Sequence, residues 1–370
     1  MKIFIFFCIV FSFVFSLPAA HAKVQRPPQF VMLSFDGSKS VSFWKESRDF
    51  AAKNNLNFTY FASGVYFLAD ASKSTYKEPR YGAGKSAIGF GGKKEDIQPR
   101  LQQMVLAMGE GNELASHGNA HYDGSAYTES MWDSEFSQFT SIMTNAWSYS
   151  GIATQKPNGW DDYFQNHVWG FRAPLLGKGN GLWASLQNYN FIYDASRVDR
   201  MNYWPQQLNN LWNFPLVGLT IAGTTKKTLS MDYNFYFGQS GGEAGPASKH
   251  ALYEQQMYDT YMGYFNNNYS GNRAPLNIGH HFSKWNGGAY WKAMMRFVKS
   301  VCSQPEVRCV VYKDLVEFLE TNKASIASYQ AGDFDKIARP LRYRPLPELS
   351  DAELEDLRLK AADHVRAHVD

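Results

Sequence analysis

The sequence predicts an α/β fold, a parallel sheet or a βα barrel, and two observations predict it. Short apolar runs rich in β-branched and aromatic residues alternate with amphipathic helical stretches, which favours a helix-covered sheet over a sandwich. The polar clusters fall at the C-terminal ends of those runs, where βα folds assemble their sites.

In chain order, QFVMLSFDGS reads as a buried strand ending at Asp36, and FWKESRDFAAKNN as the helix after it. NFTYFASG is the next strand, IQPRLQQMVLAMGEG a helix closed by glycine, and NELASHG the strand that follows. VWGFRAPLLG, NFIYDAS, LWNFPLVGL, PLNIGHHFS and RCVVYK supply further strands, with AYWKAMMRFVKSVC and KDLVEFLETNKAS as amphipathic helices. Two long excursions interrupt the alternation, Ala71 to Gln98 and Tyr122 to Val168, the second helical over Glu129 to Ser148. Such insertions shape a cleft or decorate the surface. From about Gln330 a Pro-rich stretch leads into a helix capped by Ser350 with Glu353 three residues on, an appendage packed on the domain with a mobile end.

The N-terminus carries Lys2, an apolar run from Ile3 to Leu17, and the small-residue end Ala20-His21-Ala22, the pattern of a cleaved signal peptide. The run is too short for a comfortable membrane span, so an exported protein is expected, periplasmic or secreted, with no stable membrane insertion after cleavage. The formal charge of +3 falls to +2 without Lys2, which offers nucleic acid no electrostatic footprint. Aromatic residues make up 16% of the chain, a surplus compatible with stacking on sugar rings as well as with an ordinary core. Cleavage leaves Cys302 and Cys309, whose spacing in an oxidising compartment suggests a disulfide clamping a helix-to-strand turn, two free thiols being the alternative. No further cysteine exists to complete a thiolate metal site.

His117 and His121 stand four apart in ASHGNAH, so a helical turn or a tight loop lets both reach one ion. Neutral imidazoles suit zinc or a similar first-row cation. Asp36, ending an apolar strand before Gly37, would project its carboxylate into a cleft. Amide hydrolysis needs an activated water, a stabilised oxyanion and an acid for the departing amine, and a divalent metal serves the first two.

LSFDGS at 33–38, ASHGNAH at 115–121, FRAPLL at 171–176, YDAS at 193–196 and LNIGHH at 276–281 together resemble, in order, the motifs of the polysaccharide deacetylases, the NodB-homology domain of carbohydrate esterase family 4. The resemblance runs from Gln29 to Leu319 and divides the chain into a signal peptide (1–22), a deacetylase-like catalytic domain (23–325) and a C-terminal extension with a terminal helix (326–370). It implies a distorted (β/α) barrel, here with long loop insertions and that extension, a bound divalent cation, and removal of N-acetyl groups from N-acetylglucosamine-containing polymers.

By the same resemblance Asp36 is the general base, Arg172 the arginine that orients it, His117 and His121 metal ligands, and His280 the general acid, with His281 beside it pointing elsewhere in an extended segment. Two departures stand out. The family's second aspartate, a metal ligand, is Gly37 here, and the tyrosine closing the FRAP motif is Leu175. Asp36 is then the first choice to complete the metal site, with Asp123, Asp194 and Asp232 as substitutes and metal-free hydrolysis as the alternative. Leu175 keeps a backbone N–H able to serve an oxyanion, and Trp285 could wall the acetyl methyl or stack on a sugar.

The expected function is therefore a zinc-dependent deacetylase acting on a glycan polymer, peptidoglycan first and chitin-type oligomers next. A carbohydrate-binding protein on the same fold is the rival reading. A zinc protease is weaker, because no glutamate adjoins His117 to act as base.

Overall fold

Strand β1 (Gln29–Gly37) is buried along nearly its whole length, and its two faces serve different cores. Val31, Leu33 and Phe35 join the large cluster under the helices, whereas Met32 falls in the cluster around Tyr312, and Ser34 and Asp36 bond to the buried Arg172. A strand covered on both sides reads as a continuous apolar run, as this one does. The computed structural model describes residues 23–338 and 346–366, with side chains to Lys360, so the segment 1–22, expected from sequence to be a signal peptide, lies outside it.

Eight more strands complete the main sheet: β2 (Thr59–Ala62), β3 (Glu113–Ser116), β4 (Gly170–Phe171), β5 (Tyr193–Asp194), β6 (Gln207–Leu208), β7 (Leu211–Asn213), β8 (Leu276–His281) and β9 (Val307–Cys309). Their order is β8-β1-β2-β3-β4-β5-β7-β6, with β9 paired to the first residues of β1. All ladders are parallel except that of β6 with β7. The helices that matter below are α1 (Val41–Lys53), α2 (Lys94–Gly109), α3 (Glu129–Tyr149), α4 (Asp232–Ser240), α5 (His250–Tyr269), α6 (Trp285–Val301), α7 (Tyr312–Thr321) and α8 (Asp351–Arg366).

The sheet curls into a half-barrel, and a smaller sheet of Val198–Asp199, Leu216–Thr220 and Lys227–Leu229 spans the gap. Met231 bridges to Gly279, and the Asn277 amide donates to the carbonyls of Phe214 and Pro215 at 2.7 and 2.8 Å. The result is the distorted (β/α) barrel.

Several strands are shorter than the apolar runs suggest. VWGFRAPLLG yields only the two residues of β4, because the chain leaves the ladder at Arg172 and turns with Leu175 and Leu176 at φ 56° and 54°. LWNFPLVGL splits at Pro215 into β7 and Leu216–Thr220, since proline has no N–H for a ladder. The helix α3 was expected, and the first insertion lies across the histidine loop, where the Ala87 N–H donates to the Ala120 carbonyl at 3.0 Å.

At the foot of the barrel Ile326, Tyr329 and Phe334 pack with Tyr312 and Trp204, so the residues just after 325 share that core. Ser350 and Glu353 exchange hydrogen bonds at the start of α8, the capping box expected from sequence. A disulfide joins Cys302 to Cys309 between α6 and β9. Among the described residues no helix is long and apolar enough to cross a membrane.

Candidate active site

The strand ends surround a cavity of about 520 Å³ whose lining includes Asp36, His117, His121, Leu175, His281 and Trp285. Each is delivered by the end of a strand or the loop after it.

Asp36 reaches the cavity from β1 with its carboxylate almost fully buried, and Arg172 Nη1 donates to Oδ1 at 2.7 Å. That guanidinium is held on every side: Nη1 also donates to Ser34 Oγ at 2.9 Å, Nη2 to the Tyr312 hydroxyl at 2.9 Å, and its face lies 4.3 Å from the Phe61 ring centre. Burial alone would raise the Asp36 carboxyl, but Arg172, His117 and His281 together hold it below the usual carboxylate range. A base this acidic is ionised throughout the physiological range.

His117 and His121 sit on the loop after β3, rings 5.1 Å apart. The loop turns tightly, with Gly118 at φ 64° and His121 at φ 60°. It is tied down by the Asn119 N–H donating to Glu135 Oε1 at 2.7 Å and by the Gly118 N–H donating to Ser116 Oγ at 3.1 Å. His117 Nδ1 lies 2.8 Å from the Arg172 carbonyl, which can only accept, so Nδ1 carries the proton and Nε2 keeps a lone pair. Nε2 is buried without a partner, as is Nδ1 of His121. Burial holds both rings below the ordinary histidine range, His121 down to about 3, so both are neutral donors.

This donor set fits a cation in part. Two orphaned imidazole nitrogens, one oriented by a backbone carbonyl, match two coordination positions and the outer-sphere pattern of a metal-bound histidine. Yet among the described residues no group of three His, Cys, Asp or Glu side chains is assembled to hold an ion. At Gly37, where a second carboxylate would complete the set, the backbone has φ +88° and an added Cβ would meet only Tyr66 Cε2, at 3.7 Å. Of the substitute ligands, Asp194 is engaged with the Ser196 hydroxyl at 2.6 Å, and Asp123 accepts from the Ser125 N–H at 2.9 Å.

The third substitute, Asp232, has a different position. It opens α4 beside β8, where its Oδ1 lies 2.7 Å from His281 Nδ1 and its Oδ2 accepts the His281 N–H at 2.9 Å. Burial would raise the Asp232 carboxyl, and His281 and His280 hold it down; in return Asp232 lifts His281 above the ordinary histidine range, overcoming burial. His281 faces the cavity.

His280, expected to be the acid, does not. It is buried among Phe35 and Tyr261, with Nε2 3.4 Å from the Tyr261 hydroxyl. The cause is strand parity: in the β1–β8 register Asp36 pairs with His281, and Phe35 with His280. The imidazole sharing a face with Asp36 and lining the cavity is thus the second of the pair, His281, and not the His280 expected from sequence.

Leu175 and Leu176 both line the cavity, and the Leu176 N–H is taken by the Ala173 carbonyl at 3.0 Å, so the Leu175 N–H is the candidate oxyanion donor of the two. Trp285 stacks on Tyr236 at 5.0 Å between centres and 2° between planes, and lies 5.5 Å from the Tyr233 ring, part of an aromatic wall beside His281. Sequence reasoning missed Asp232 as the partner of a histidine, and Tyr312 and Ser34 as holders of Arg172. Asp232 had a signal, since a carboxylate at a helix start is where a strand-end histidine could meet one.

No family model matches the sequence, and no curated protein is detectably similar. A crystal structure named as a polysaccharide deacetylase of Mycobacterium smegmatis is similar in fold, with a TM-score of 0.52 at 13% identity over 86% of this chain and 98% of that one. The fold is that of the polysaccharide deacetylases. The peptidoglycan deacetylase PdaC from Bacillus subtilis is a looser match, with a TM-score of 0.39 at 13% identity over 83% of this chain and 99% of that one. The likeness is one of fold; the histidine loop and the Asp232–His281 pair are read from this chain's own geometry.

Proposed function

We propose that this protein is an exported hydrolase, periplasmic or secreted, that removes acetyl groups from the nitrogen of N-acetylglucosamine units in a glycan polymer, peptidoglycan first and chitin-type oligomers second. One observation carries the reading. Asp36, whose carboxyl Arg172 holds below its usual range, and His281, whose imidazole Asp232 lifts above its usual range, stand side by side on adjacent strands and open into one cavity. Two titratable groups pushed in opposite directions by their surroundings are the requirement for base and acid in one reaction.

Asp36 accepts the proton of the attacking water while Arg172 fixes its orientation. The Leu175 N–H faces the developing oxyanion. His281 gives its proton to the departing nitrogen, and acetate and a free amine result. His117 and His121 would hold a divalent cation, zinc by the chemistry of two neutral imidazoles, which when bound lowers the pKa of water and polarises the acyl carbonyl. The aromatic wall with Trp285 would take the face of a sugar ring.

Acetate release by the purified protein from peptidoglycan and chitin oligomers, with zinc and with chelator, tests this. Release that stops with chelator supports it. No release from any N-acetylated polymer, together with measurable retention on them, would establish instead the carbohydrate-binding reading that Gly37 and Leu175 motivate.

A further inference from the structure

The wall of the cavity contributed by Leu175 and Leu176 is unusual, because two consecutive leucines adopt the left-handed backbone conformation at φ 56° and 54°. β-Carbons disfavour that region, so such a turn persists only where its surroundings fix it. The surroundings are supplied from a distance in sequence. Leu176 packs against a cluster of Leu349, Leu354 and Leu357 from the start of α8, closed below by Leu229.

The docking of this segment is built into the barrel. Gly218 lies in the strand Leu216–Thr220, where a Cβ would come within 2.4 Å of Leu354 and 2.8 Å of Leu349. Gly263 in α5 leaves the same kind of recess for Leu346, whose side chain would lie 2.9 Å from an added Cβ. Glycine is unfavourable inside regular elements, so two of them facing one appendage mark a site shaped to receive it. Polar contacts fix the register: Lys227 pairs with Glu353 at 3.3 Å, and the Asn202 amide donates to Glu348 at 2.9 Å.

We propose that the segment from Leu346 through α8 is a brace that holds the Leu175–Leu176 turn in place, so that a helix remote from the reacting groups positions one wall of the cavity. The consequence for catalysis rests on the deacetylase reading; the mechanical coupling does not. Leu176 is a positioning residue. Without the brace the turn relaxes, and the Leu175 N–H moves with it while the acid and base, carried by β1 and β8, are untouched.

Two variants test it. Gly218→Val fills the recess and expels the helix, and Leu354→Ser with Leu357→Ser removes its apolar contact from the helix side, should the first variant fold poorly. Hydrogen exchange of the amides of Leu176 and Gly177, which donate to the carbonyls of Ala173 and Pro174, is expected to accelerate at least about tenfold in either variant, with β1 and β8 still protected. kcat on an N-acetylated oligomer should fall at least about tenfold, because the Leu175 N–H that faces the oxyanion moves with the turn, while the pH limits of kcat, set by Asp36 and His281, stay in place. Unchanged exchange at Leu176 and Gly177 in both variants overturns the brace. A protein that releases no acetate leaves the exchange measurement intact, so failure of the brace and failure of the deacetylase reading are told apart.

Discussion

The cavity has two histidine walls built on opposite principles. On one side His281 is saturated by Asp232, with both carboxylate oxygens engaged, and its charge is settled within the protein. Across from it, His117 and His121 are neutral and each presents a buried nitrogen with no partner in the protein. Buried polar atoms are nearly always satisfied, and orphaned ones concentrate where something else is meant to bind. The first wall can move a proton by itself, whereas the second is unfinished without a ligand. Asp36 stands between them and is held by a third group, Arg172, from below.

The widest separation between carboxylate and surroundings comes from Asp36→Asn. Acetate release should fall by about 10²- to 10⁴-fold, the usual contribution of a general base. Asp36→Ala should do more than abolish turnover. A strand-end carboxylate might be expected to matter little for folding, but this one neutralises a fully buried guanidinium, and stranding that charge costs about 3–5 kcal/mol. Chemical denaturation of both variants against the wild type measures that cost; wild-type stability in both would show that Arg172 is not dependent on its partner.

The unfinished wall is tested by His117→Ala and His121→Ala, each of which should weaken zinc binding in calorimetry by more than the about 10- to 100-fold typical of losing an outer-shell partner, while Asp232→Asn leaves it unchanged. If zinc affinity is indifferent to all three, the orphaned nitrogens serve another ligand. Gly37→Asp then sharpens the comparison by finishing that wall. Its Cβ has room, and aspartate is among the residues that tolerate a positive φ, so zinc should bind at least about tenfold more tightly at a stability cost of about 1 kcal/mol.

Much of this arrangement is legible in the sequence, and what is not has identifiable causes. β1 and the histidine loop were readable because a continuous apolar run and a Gly-punctuated H-x-x-x-H each encode local structure. Which of two adjacent histidines faces the cavity was not, because that depends on the register between β1 and β8, a property of residues more than 200 apart. A clue was present all the same: Gly279 leaves room for Arg172, whose Nη1 would lie 3.3 Å from an added Cβ, and the residue two further on must face the same interior. The same parity puts Asn277, which receives the Tyr312 hydroxyl, inside. Asp232 was read as a spare metal ligand since its type was clear and its partner was not. The separation of the two walls is a tertiary fact.

The finest test of the comparison is the pH dependence of Asp232→Asn. In the native protein the Asp232 carboxylate raises the folded pKa of His281 above 6.5, so the acid stays protonated, and active, to higher pH than an ordinary histidine would. Removing that charge while keeping a hydrogen-bond partner leaves burial to act alone, which lowers the pKa of an imidazole. The alkaline limb of kcat should therefore move to lower pH, with smaller losses below it where His281 is still protonated. Stability follows the same sign: the favourable Asp232–His281 interaction is fully present below the unfolded histidine pKa and fades as pH rises through the higher folded value, so the wild type's advantage over the variant should shrink across that interval. The opposite wall behaves in the reverse sense, since His121, held near 3 in the fold, costs stability progressively as pH falls below 6.5 and the unfolded chain takes up its proton. Unfolding measured from pH 4 to 9 on wild type, Asp232→Asn and His121→Ala separates the two slopes, and a common pH dependence for all three proteins would erase the distinction between a settled wall and an unfinished one.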